Sequence, residues 1–123
     1  MATEVELISI LHQSHTQSKV WHNQTDSFAV HEALGTYYDE IVDLVDKLVE
    51  STQGVSPRLI GYQTKQIMDY VDCATVILFF KGLFDYIEME RKTVFPYSFQ
   101  QNQIDTIQEL ITQTLYRLSL NKY

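Results

Sequence analysis

The chain has 123 residues, 45% of them hydrophobic and 20% charged, which suits one globular domain able to bury a core. A formal net charge of -7 repels a phosphate backbone, and the nine basic residues are scattered, so nucleic acid is not an expected partner. No apolar run approaches the roughly 18 residues that a bilayer requires, the longest being Cys73 to Phe80; Glu4 and Glu6 stand where a secretory leader carries basic residues. No membrane association and a cytoplasmic location are therefore expected.

Cys73 is the one cysteine, which excludes an intrachain disulfide and a cysteine-based zinc or iron-sulfur site within one chain. Its place at the head of the most apolar segment argues for a packed side chain over a reactive thiolate.

Two prolines and four glycines leave room for long helices, and four segments carry helical periodicity. Helix A opens with Thr3 and Glu6 in capping-box spacing, and Leu7, Leu11, Ser14, Ser18 and Trp21 form its stripe to about Trp21. A polar turn, His22 to Asp26, follows. In helix B, after Phe28, the residues Leu34, Tyr38, Ile41, Val45 and Leu48 recur at spacings of three and four up to Gly54. From Gly54 to about Tyr70 the pattern breaks, with Pro57 and Gly61 inside it, and a loop holding at most a short helical turn is expected. Helix C, from about Asp72 to Thr93, is apolar almost all round and must be covered on several sides. After Pro96, Ser98 and Gln101 make a second capping-box pattern ahead of Ile104, Ile107, Ile111, Leu115 and Leu118, which is helix D.

The two short links join antiparallel neighbours, whereas the B-C segment is long enough to carry the chain back along the bundle. An all-α, ferritin-like four-helix bundle with a long B-C crossover, a single domain spanning 1–123, is the expected fold; an up-down bundle with a loose middle loop stays open. Helices B and D are expected to share a chain direction. The apolar faces of helix C predict a homo-oligomer.

All four histidines, His12, His15, His22 and His31, fall in the first quarter. On helix B, Asp39, Asp43, Asp46 and Glu50 form a carboxylate stripe, which reads either as a solvated face or as oxygen donors that join imidazole in holding a divalent metal. His12 and His15 share a face at i, i+3, but two ligands make only an adventitious site. There is no phosphate-binding glycine loop, no His-Glu-x-x-His pattern and no nucleophile elbow.

The run Phe28-Ala29-Val30-His31-Glu32-Ala33-Leu34-Gly35, continued through Asp43, Asp46 and Glu50, resembles the second helix of the Dps-type miniferritins, which are ferritin-like four-helix proteins. In that pattern a His opens the helix, an Asp follows four residues on, and an Asp and a Glu stand fifteen and nineteen residues after the His. This sequence has His31, Gly35, Asp46 and Glu50 at those positions, so Gly35 departs from the pattern. Trp21-His22 resembles, in reversed order, the pair that ends the family's first helix. The resemblance implies an iron site at a two-fold interface, with His22 and His31 of one subunit facing Asp46 and Glu50 of the other. Iron is the implied metal. The Glu-x-x-His motifs of classical ferritins are absent, as is a Lys-rich tail. Compact chains of this kind are similar to small proteins of tailed phages, which implies host cytoplasm or virion as the location. The other reading is a non-catalytic structural or interaction protein, such as a phage particle component or a host-protein binder, that has lost the metal site. Whether the chain is an enzyme stays open.

Overall fold

The computed structural model describes residues 2–121. It is all-helical, with no strand among the described residues: α1 is Glu4–Gln24, α2 Phe28–Val55, α3 Cys73–Val94 and α4 Ser98–Ser119. No helix among the described residues is long and apolar enough to cross a membrane.

Helices α1, α2 and α3 each start where a side chain can take one of the first free N–H groups. Thr3 accepts from the N–H of Glu6 (3.2 Å), Ser27 from Val30 (3.3 Å) and Asp72 from Thr75 (2.8 Å). The expected box at Ser98 and Gln101 lies elsewhere. Tyr97 is the cap position and its N–H donates to Gln100 (3.1 Å), while Gln101 turns back and donates to the carbonyls of Arg91 and Phe95 at the end of α3. Gln101 thus closes one helix instead of opening the next. Helix α1 also outruns its expected end at Trp21 by three residues, because Gln24 is held by Tyr70 and Asp69.

Three contacts fix the chain path. The Ala2 N–H donates to Glu90 (2.7 Å), so α1 starts where α3 ends. Ser27 meets Asn121 (2.5 Å), so α2 starts where α4 ends, and Gln100 donates to Thr52 (3.0 Å) at the opposite end. Helices α1 and α4 therefore run one way, and α2 and α3 the other. The expectation that the second and fourth helices share a direction is wrong. A crossover returns the chain to the starting end of α2, which makes α3 parallel to α2 and α4 antiparallel to it.

The crossover, residues 56–72, is not loose. It turns at Gly61, whose φ of 85° lies in the left-handed region open to glycine, and then runs alongside α1. Ser9, Gln13, Gln17 and Gln24 hold it by hydrogen bonds to the main chain of Gln63, Gln66, Met68 and Tyr70. Polar side chains on one flank of a helix here supply partners to backbone that no sheet satisfies.

All four helices feed one apolar core that includes Leu7, Leu11, Trp21, Leu34, Ile41, Leu48, Phe80, Ile87, Ile107 and Leu118. Aromatic rings meet edge to face in it: Trp21 on Phe79 at 5.2 Å and Tyr37 on Phe80 at 4.8 Å. The Tyr37 hydroxyl is wholly buried and pairs with Ser14 (2.7 Å); burial drives its pKa far above that of a free tyrosine. At the α3–α4 corner the buried guanidinium of Arg91 reaches Gln101, Gln108 and Asp105, the last at 2.6 Å. Helix α3 is less enclosed than its composition implies. Val76, Phe80, Leu83 and Ile87 are buried, but Leu78 and Met89 are 68% and 74% exposed.

Candidate metal-facing site

The short link 25–27 turns α1 back onto α2, so each step toward the start of α1 is matched by a step toward the end of α2. That register sets His22 against His31 and His15 against Tyr38, and places Leu11 and Val42 on one groove.

His22 and His31 lie face to face, with ring centroids 3.7 Å apart and planes 19° from parallel. Nδ1 of His22 is 2.6 Å from the carbonyl oxygen of His31, and Nδ1 of His31 is 2.8 Å from the carbonyl oxygen of His22. A carbonyl can only accept, so both Nδ1 atoms carry the proton and donate it. When each ring is neutral, its lone pair is consequently on Nε2. Ligating histidines are usually prepared in this way, one ring nitrogen donating to a fixed acceptor so that the other points its lone pair at the metal.

Gly35 belongs to this arrangement. A Cβ at that position would sit 3.0 Å from Cε1 and 3.2 Å from Nδ1 of His22. A glycine in a helix interior costs about 1 kcal/mol relative to alanine, and here its bare backbone admits the imidazole of the facing helix. The departure from the miniferritin pattern at Gly35 thus has a local cause, since an aspartate there would push into the ring. Tyr38 presents an edge to His22 at 5.1 Å, and Phe28, 76% exposed, flanks His31. The reversed order of Trp21 and His22 follows from their destinations, Trp21 into the core and His22 onto α2.

Asp46 and Glu50 are exposed on the same helix as His31 but stand about 22 Å and 28 Å from it along the axis at 1.5 Å per residue. One chain does not bring the four expected residues together, and among the described residues no group of three or more His, Cys, Asp or Glu side chains is arranged to hold a metal ion. Asp46 instead lines a groove of about 260 Å³ between α1 and α2 with His12, His15, Leu11, Val42 and Val45. Burial, then the charge of Lys19 and the neighbouring His12, lowers the pKa of His15 below 6.5. Tyr62 from the crossover stacks on His12 at 5.4 Å. Sequence reasoning had not joined Asp46 to His12 and His15; the hairpin register was the signal, readable once one facing pair was known. Cys73 is half-buried against the carbonyl of Leu118 and burial raises its pKa, in keeping with a packed thiol.

Residues 22–118 match the model of a family described as "Family of unknown function (DUF5856)", and the chain belongs to that family. The matched stretch begins at His22 and takes in His31, Asp46 and Glu50. No curated protein and no solved structure matches the chain.

Proposed function

For this member of DUF5856 we propose a ferritin-like subunit that holds a divalent first-row metal, iron on the Dps resemblance, at a site completed by a two-fold copy of itself. The observation that carries this reading is the reciprocal Nδ1 lock, which fixes two adjacent rings and leaves both Nε2 atoms without a hydrogen-bond partner among the described residues. A lone pair lies in its ring plane, so two stacked rings do not converge on one ion, and each needs further donors. The acids of the outer face of α2, Asp46 and Glu50, become those donors when a second subunit packs antiparallel across a two-fold axis. The chain path supports the ferritin-like assignment: two antiparallel hairpins joined by a crossover that makes α2 and α3 parallel. Bound there, iron(II) would supply the electrons that reduce peroxide or oxygen.

The test is anaerobic titration with iron(II), followed by absorbance on adding peroxide. Binding should disappear in His22→Ala and His31→Ala, fall in Asp46→Ala and Glu50→Ala, and persist in His12→Ala. Iron binding that His31→Ala leaves intact would refute the assignment.

The contact between Gly35 and His22 favours a second reading, in which the stacked imidazoles are a clasp for the α1–α2 hairpin and the protein is a structural or interaction component without metal. On that reading both substitutions lower stability and iron titration shows no saturable uptake in any variant.

A further inference from the structure

Helix α3 leaves an apolar line open to solvent. Leu78 and Met89, both largely exposed, are about 20° apart around the helix and about 16 Å apart along it. Gly82 stands between them, about 40° round from Leu78, and a Cβ built on it would meet nothing within 4 Å. Lys81, Asp85 and Glu88, all exposed, flank this line on the side toward α4, and Lys81 and Asp85 make no ion pair among the described residues. On that flank a groove of about 260 Å³ runs between α3 and α4, with Phe84 and Leu115 in it and Lys81, Asp85 and Thr112 at its sides. Helix α2 packs on α1 and α4, and α3 meets the same two helices, so the open face of α3 stands at the corner of the bundle opposite α2 and its acids.

We propose that this face of α3 packs on the same face of a second copy of the chain, antiparallel about a two-fold axis level with Leu83 and Phe84. Leu78 of each copy then lies opposite Met89 of the other, and the two contacts cover the exposed line. Antiparallel helices related by such an axis set like flanks together, which brings Lys81 of each copy to Asp85 and Glu88 of the other. The stem of that Lys81 crosses the groove over Phe84 and Leu115, and its ammonium reaches Asp85. Gly82 lies beside the axis, where a side chain larger than a methyl would hold the helices apart. Charge fixes the register. Sliding the copies by about one turn sets Asp85 against its own mate in one direction and Lys81 against its own in the other. A parallel pairing would put the charged flank of each copy against the uncharged flank of the other, which carries Thr75, Gly82 and Tyr86. The apolar faces of α3 thereby gain a cover, and the pairing depends on no metal.

Sedimentation equilibrium of the full chain over a concentration series, with a chelator present, tests it. The parent should dimerise reversibly. Leu78→Lys and Met89→Glu each set a charge against an apolar side chain and should weaken self-association about tenfold or more, while circular dichroism shows unchanged helix content because both sites are exposed. In an equimolar mixture of these two variants, the new cation faces the new anion at one contact and Leu78 meets Met89 at the other. The mixture should therefore dimerise about tenfold or more tighter than either variant alone. Lys81→Glu should weaken the parent dimer, and His31→Ala should leave it unchanged. A monomer at all concentrations, a dimer indifferent to Leu78→Lys or to Lys81→Glu, a dimer lost in His31→Ala, or a mixture no tighter than its components would each overturn the proposal.

Discussion

The imidazoles of His22 and His31 are stacked at 3.7 Å, and each gives its Nδ1 proton to the main-chain carbonyl of the other residue. Two helices are thereby joined by groups whose remaining polar atoms, the Nε2 pair, have no hydrogen-bond partner among the described residues. The hairpin turn 25–27 makes the contact local in sequence, and Gly35 gives it room.

That room sets up a comparison of two helical glycines. Nothing lies within 4 Å of a Cβ built on Gly82, so Gly82→Ala should raise stability by about 1 kcal/mol through helix propensity. Gly35→Ala offers the same propensity but meets the His22 ring at 3.0 Å, and should give no gain or a loss. Urea unfolding of the two variants, with the His22 ring resonances followed by NMR, checks the pair. An equal gain in both would mean that the ring does not depend on Gly35.

The α3–α4 corner gives a second contrast. Arg91→Ala leaves buried Gln108 and the side chain of Gln101 without their guanidinium partner and should cost about 2–4 kcal/mol. Its ionic partner Asp105 is 64% exposed, so Asp105→Ala should cost only about 0.2–1 kcal/mol. Denaturant midpoints measure both. Equal losses would show that the ion pair, not the amide contacts, holds the corner.

The environment of His15 makes stability depend on pH in a fixed direction. Burial, Lys19 and His12 lower its pKa in the folded chain from 6.5, so the unfolded chain takes up the proton first as pH falls. The contribution of neutral His15 is therefore complete above that value and is lost as pH falls through the lowered one. Replacing His15 with Asn should flatten the dependence of the urea midpoint on pH between about 7 and about 5. A parallel slope in parent and variant would remove His15 as the cause.

Much of this architecture was legible from apolar spacing. Leu7, Leu11, Ser14, Ser18 and Trp21 are all buried as their stripe requires, and the long segment between two short links is a crossover. The lie of the crossover was not legible, because it is fixed by Ser9, Gln13, Gln17 and Gln24, and nothing in a glutamine's own sequence context says that its amide will serve distant backbone. The direction of α4 was misjudged by following the links and not the return that the crossover makes. At the site, His22 and His31 were named from the sequence and do meet, whereas Gly35 read as a missing ligand, since a glycine shows what it admits only when the facing side chain is in place.

If Nε2 of both His22 and His31 is reserved for a metal, as we propose, ring nitrogen NMR shows it most directly. Long-range proton–nitrogen spectra of the uniformly labelled protein should show Nδ1 protonated and Nε2 unprotonated in both residues. Stepwise addition of zinc(II), a diamagnetic stand-in for iron(II), should shift the two Nε2 signals in a saturable way and leave His12 unmoved. Protons on Nε2, or Nε2 signals that zinc does not move at saturating concentration, would contradict the account and leave the stacked pair as a clasp between helices.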